Sequence, residues 1–208
     1  MVKLVLLRHG LSSTNKSKCF CGQYDAPLEP LGHIQAQIVA EYIVKNYKID
    51  CIYSSDLIRV VDTVTPTAQR LGLAIEKSKD LREINIGHWQ ARLLTEIEKA
   101  EPDAFARYKV GDTSLVMGGM ESFDMVRERA IKLVDYIAQK HDGKTVLIAT
   151  HGGVIRMLCE GWLNIGDVEM REKYRITNAS ITEVDYDNGK ANIISIANNS
   201  YFDDQTLT

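Results

Sequence analysis

The chain has 208 residues, a length that suits one large domain rather than two. It is 45% hydrophobic and 25% charged, and its 25 basic and 28 acidic residues leave a formal net charge of −3. With no basic tract, that balance calls for neither nucleic acid nor an acidic membrane surface as a partner. The apolar run at 4–7 is far short of the ~18 residues a membrane span needs. Met1-Val2-Lys3 leads into it without the regions of a secretory leader, so none is expected. Cys19, Cys21, Cys51 and Cys159 form no CxxC pair and read as reduced thiols of a cytoplasmic protein.

In chain order, "VKLVLL" (2–7) is continuously apolar, as a strand covered on both faces should be. Residues 35–47 predict a helix, with Ala36, Val39, Ala40, Ile43 and Tyr47 at spacings of three and four. "IDCIYSS" (49–55) is a second buried strand. Asp56 then stands where a cap would open a helix whose shared face is Leu57, Val60, Val61, Val64, Ala68 and Leu71. Pro66 inside that pattern should kink or divide it. Residues 93–108 have weaker helical character, interrupted by Pro102, and the glycine-rich stretch 109–122 predicts a loop. Phe123, Val126, Ala130, Leu133 and Ile137 mark an amphipathic helix starting near Ser122. "KTVLIAT" (144–150) is a third buried strand, followed by a helix over 153–163. Around Asp187-Asn188-Gly189 the pattern alternates as a β-hairpin.

Strands alternating with helices predict an α/β sandwich around a mainly parallel sheet, whose site lies at the carboxyl ends of the strands. Three such ends can be followed. The first delivers Arg8 and His9, the second Ser54 and Ser55 with Arg59 a turn later, and the third Thr150, His151 and Gly152. Guanidinium forks match phosphate oxygens and keep their charge near neutral pH. Amides opening a helix after His151 attract anions, and Gly152-Gly153 lets that backbone come close. Neighbouring arginines disfavour imidazolium, so at least one histidine should stay neutral and nucleophilic. Glu83, ending another short apolar segment, is a candidate acid for the leaving oxygen. The GxGxxG fingerprint of a dinucleotide site is absent from "RHGLSS".

These stretches resemble the histidine phosphatase superfamily, in its phosphoglycerate mutase-like branch. "LLRHGLSSTN", "CGQYDAPLEPLGHIQA", "YSSDLIRVVDTV", "LREINIGHWQ", "GGMESF" and "ATHGGVIRML" follow one another in the family's order, and "NAS" at 178–180 resembles the opening of a late strand. The resemblance implies a three-layer α/β/α sandwich comprising a single domain over 1–208, with residues about 85–122 as a lid-like insertion over the site. It implies that His9 is phosphorylated, that Arg8, Arg59 and His151 hold the phosphoryl oxygens, and that Glu83 donates the proton. It also puts Asn15, Ser12, Cys21, Gly22 and Gly152 against phosphate or substrate. No metal or cofactor is implied, since arginines neutralise the charge.

The chain departs from the family pattern around the expected pocket mouth, at Leu11, Cys19, Gln23 and Gln90-Ala91. Ile86 and Leu94 stand where the resembled mutases carry tyrosine and lysine, and the adjacent arginine pair of those mutases is missing. The expectation is therefore a phosphomonoesterase acting on a small phosphorylated metabolite, with a bisphosphoglycerate-dependent mutase and a non-catalytic phosphometabolite-binding protein as alternatives. The mildly basic middle segment suggests modest-sized or broadly accepted esters. His33 and His141 are expected to be solvated, Trp89 to be core or rim, and Cys19 and Cys21 to pack. Monomer and homodimer both fit the sequence.

Overall fold

A strand that is apolar on both faces needs a layer on each side, and the fold supplies both. The computed structural model describes residues 1–112 and 114–207; Thr113, in the predicted 109–122 loop, and Thr208 lie outside the described residues. Strand β1 (Val2–Arg8) leads through helix α1 (Ser13–Ser17) to α2 (Pro30–Asn46). Next come β2 (Cys51–Ser55), α3 (Ile58–Leu71) and β3 (Ile75–Ser78), then the short helices α4 (Leu94–Ala100) and α5 (Pro102–Lys109). The chain continues with α6 (Phe123–Lys140), β4 (Thr145–Thr150), α7 (Gly152–Leu163) and α8 (Asp167–Lys173), and closes with β5 (Ile181–Asp187) and β6 (Lys190–Asn198).

The strands form one sheet in the order β3-β2-β4-β1-β5-β6. The first four run parallel, while β5 and β6 add an antiparallel edge. Alternation along β1 divides the core. Leu4 and Leu6 pack with Val126, Ala130 and Val134 of α6 and Val154 and Leu158 of α7. Val5 and Leu7 pack with Val39 and Ile43 of α2 and Val60 and Val64 of α3. The result is the expected three-layer sandwich.

Register places the site. Arg8 is paired with Thr150 and Ser54 with Ala149, so His9, Ser55 and His151 leave adjacent strands at one level. The close approach of the β1 loop to α2 requires glycine, since a Cβ on Gly32 would sit 2.2 Å from the Leu11 carbonyl oxygen.

Several boundaries differ from the sequence reading. Helix α2 starts at Pro30, where a proline in the first turn costs no hydrogen bond, rather than at 35. Asp56 does not cap α3; the cap position is Leu57, and Asp56 binds Arg82 through two 2.6 Å hydrogen bonds. The Ile58 N–H donates instead to Asp25 Oδ1 at 2.7 Å. Pro66 does not divide α3, which is assigned as one helix. Pro102 does separate α4 from α5, and Ser122 caps α6 as the sequence suggests. Asn188 and Gly189 take the positive φ of a tight hairpin turn, at 49° and 80°. Helices α1 and α8 and strand β3 had no sequence signal.

Segment 85–122 is tied down by aromatic contacts. Trp89 is fully buried and stacks 5.6 Å from Phe20, with Phe105 at 6.2 Å. No helix among the described residues is long and apolar enough to cross a membrane.

Candidate active site

His9 follows the last residue of β1, and backbone bonds hold it from two sides. Its N–H donates to Thr150 O at 3.1 Å, and its carbonyl accepts from the Ala179 N–H at 3.0 Å and the Asn178 amide at 3.2 Å. Ring Nδ1 lies 2.7 Å from Gly10 O. A carbonyl only accepts, so Nδ1 carries the proton and Nε2 keeps its lone pair. The side chain is 4% exposed. Burial first, then Arg59 and Arg8, holds the imidazole well below its ordinary pKa, hence neutral.

His151 is fixed more tightly. Arg59 Nη2 lies 3.1 Å from its Nδ1, and since a guanidinium only donates, Nδ1 must accept. The proton therefore sits on Nε2, which donates to Ser55 Oγ at 2.9 Å. Burial and then Arg59 press this pKa well down as well. The two imidazole centroids are 5.2 Å apart.

Two guanidinium groups flank the histidines. Arg59 is fully buried and donates to Gly22 O at 2.9 Å and Tyr24 O at 2.8 Å, which draws the 19–25 loop onto the site. Arg8 donates to Ile176 O at 2.5 Å. Among the described residues neither Arg8 Nε nor Arg59 Nε has an acceptor, although both are buried. Unmatched buried donors of positive charge are costly, and an anion would relieve both. Burial, with Arg156, Arg59 and Arg175 nearby, lowers the Arg8 pKa to about 10 against the pull of Glu83, so it stays charged at neutral pH.

Glu83 reaches the start of α7. Its Oε2 accepts the Gly153 N–H at 3.1 Å and its Oε1 the Ile84 N–H at 3.0 Å. A Cβ on Gly153 would lie 2.2 Å from Oε1, and one on Gly152 would lie 3.1 Å from Arg8 Nε. A side chain at 153 would therefore displace the Glu83 carboxylate, whereas at 152 the Arg8 side chain need give only a few tenths of an ångström.

A cavity of about 400 Å³ opens here. Of the residues expected from sequence, Arg8, Asn15, Cys21, Gly22, Glu83 and Gly152 line it. His9, Arg59 and His151 are buried beside it, adjoining the lining through Arg8, Gly22 and Gly152. Ser12 does not line it; it is buried and caps α1, its hydroxyl 3.0 Å from Asn15 Oδ1. Its contribution is to orient Asn15, whose Oδ1 also accepts from the Asn178 amide at 3.1 Å. Burial raises the Cys21 pKa, which keeps this thiol protonated.

Sequence reasoning missed Ser55 as the partner of His151, and Thr63, whose hydroxyl accepts the Gly10 N–H at 2.9 Å. It also missed Arg156, Arg171, Tyr174 and Arg175 on the cavity wall. Arg156 stood within a quoted motif, and its i,i+4 spacing from Glu160 was the available signal. The remaining three lie in or beside α8, which no periodicity announced. Among the described residues no three histidine, cysteine or carboxylate groups cluster as metal ligands would.

Paired imidazoles and guanidiniums at the carboxyl ends of a parallel sheet have the chemistry that suits a phosphoryl group. The chain belongs to the histidine phosphatase superfamily (branch 1), which its residues 4–199 match. It is 37% identical over 160 residues to phosphoglycerate mutase-like protein 4 of Arabidopsis thaliana, covering 76% of this chain and 70% of that one. It is 32% identical over 186 residues to a metal-independent phosphoserine phosphatase of the same plant, covering 88% and 76%. Among solved structures, Bacillus stearothermophilus YhfR superposes with a TM-score of 0.91 at 26% identity, over 97% of this chain and 99% of that one. A mycobacterial glucosyl-3-phosphoglycerate phosphatase superposes at 0.85 with 29% identity, over 94% and 98%.

Proposed function

We propose that this protein is a phosphomonoesterase that hydrolyses a small phosphorylated metabolite through a phosphohistidine at His9. The observation that carries the reading is a neutral imidazole, with its Nε2 lone pair uncommitted, in the field of two guanidiniums whose buried Nε atoms lack acceptors among the described residues. The similarity to phosphatases acting on phosphoserine and on glucosyl-3-phosphoglycerate supports it.

In the proposed reaction His9 Nε2 attacks phosphorus and the ester P–O bond breaks. The electron pair leaves on the alkoxide, which takes a proton from Glu83. Water then attacks the phosphohistidine, giving its proton to Glu83, and releases inorganic phosphate and neutral His9. Arg8 and Arg59 hold the phosphoryl oxygens, whose spread charge they stabilise without a metal, and His151 joins them by turning its Nε2–H from Ser55 to a phosphoryl oxygen. Asn15, Cys21, Gly22 and Gly152 border the substrate. Segment 85–122 acts as the cover, supplying Ile86, Leu94 and Tyr108 to the cavity wall. The four free cysteines support a reducing, cytoplasmic setting.

A mutase reading is kept by one observation, the similarity to a mutase-like relative. Both readings meet one experiment: incubation with 3-phosphoglycerate and catalytic 2,3-bisphosphoglycerate, with chelator present. The expected result is release of inorganic phosphate without accumulation of 2-phosphoglycerate, and loss of that release in His9→Ala. Rapid isomerisation would favour the mutase, and undiminished hydrolysis by His9→Ala would overturn the phosphohistidine.

A further inference from the structure

Five charged residues line the cavity: Arg8 and Glu83 at its phosphoryl end, and Arg156, Arg171 and Arg175 on the wall formed by α7 and α8. One phosphate ester does not require that excess of cations, because Arg8 and Arg59 already flank His9. We propose that Arg156, Arg171 and Arg175 form a second anion subsite, and that the preferred esters carry a second anionic oxygen group a few bonds from the phosphoryl group. This rests on the phosphatase reading and names its substrate class.

The forks are braced from behind. Asp167 holds Arg156 Nε at 2.7 Å and Arg171 Nε at 2.5 Å, one oxygen for each, and Glu160 Oε1 lies 3.4 Å from Arg156 Nε. Asp167 and Glu160 are buried, at 8% and 7% exposure, and neither lines the cavity. Asp167 thus lies within ion-pair distance of both Arg156 and Arg171, fixing two guanidinium forks of the kind that match a carboxylate or phosphate. A Cβ on Gly111 would lie 2.5 Å from Asp167 Cβ, so the loop after α5 clamps the bracing carboxylate in place. Arg156 and Arg175 share the cavity lining with Arg8, and their charges help to lower its pKa. A volume of about 400 Å³ is near the lower end for ligand cavities, which suits a compact doubly charged ester.

Carboxylate and phosphate share this chemistry, and two substrate pairs separate them. 3-Phosphoglycerate against glycerol 3-phosphate exchanges a carboxylate for a hydroxymethyl group. Fructose 1,6-bisphosphate against fructose 6-phosphate removes a second phosphate. The anionic member of at least one pair should be preferred by about tenfold or more in kcat/KM, the scale of a charge-assisted hydrogen bond. That ratio should fall toward unity in Arg171→Gln and Arg175→Gln, whose exposed positions spare the core, and fall in Arg156→Lys, which keeps the charge but loses the fork. Ratios near unity in both pairs for the wild type, or ratios unchanged by all three substitutions, overturn the subsite. If His9→Ala remained active the catalytic reading would fail instead, so the two failures are told apart.

Discussion

The surroundings of His9, the proposed nucleophile, keep a proton off Nε2. Burial opposes the charged form, two guanidiniums repel it, and the Gly10 carbonyl claims the one proton a neutral ring carries. The same residue-scale reasoning gives Glu83 a testable role. An alkoxide leaves poorly unless it is protonated, whereas p-nitrophenolate needs little help. Glu83→Gln keeps the shape and loses the transferable proton. Hydrolysis of an alkyl phosphate should therefore fall by about 10²–10⁴-fold, and hydrolysis of p-nitrophenyl phosphate by much less. Equal losses on both esters would assign Glu83 to positioning. Arg8, His9, Arg59 and His151 were legible beforehand because each ends, or closely follows, an apolar run that reads as a strand. The place of Ser55 at a strand end was legible too, but its bond to His151 and the part played by Thr63 were not, since a hydroxyl's partner is set by register across strands and helices. His141, expected to be solvated, is half-buried with Nε2 2.9 Å from the Tyr53 hydroxyl, a contact made only by the fold.

At the scale of elements, the site is where β4 turns into α7 against the end of β1. The turn works only while nothing intrudes between α7 and Glu83, so Gly153 controls the placement of the proposed acid. In Gly153→Ala the new methyl would meet Oε1 at 2.2 Å, and the carboxylate must move. Activity should fall by about 10²-fold, the cost of misplacing a reacting group by about an ångström. Circular dichroism should remain native, because the displaced group is a side chain beside a cavity. Full activity in Gly153→Ala would mean that Glu83 need not sit there. The parallel strands and long helices were readable from apolar periodicity, which survives without tertiary context. Helices α1 and α8 are too short to show a period, and β3 has no fully buried residue. With α8 invisible, the basic wall was invisible too, and the middle segment alone gave the impression of a mildly basic pocket.

Over the whole molecule, burying neutral histidines beside arginines leaves a signature in stability against pH. A histidine whose folded pKa lies below its unfolded value of about 6.5 binds its proton more readily when unfolded. Its contribution is complete above that value and is lost as pH falls below it. His9 and His151 both act in this sense. Glu160 acts in the other: burial lifts its folded pKa to about 7, so its contribution is present at low pH and lost as pH rises toward neutrality. Between about pH 5 and 6 the unfolded chain should therefore bind two extra protons at the histidines and give up one at Glu160. The net is one proton, or about 1.4 kcal/mol of stability lost per unit fall in pH. Urea unfolding at closely spaced pH values measures that slope. Removing His9 in His9→Gln should bring it near zero, whereas Glu160→Gln should nearly double it. A wild-type stability that rises as pH drops from 6 to 5 would show that both imidazoles enter the fold already charged, and a charged His9 has no lone pair with which to attack phosphorus.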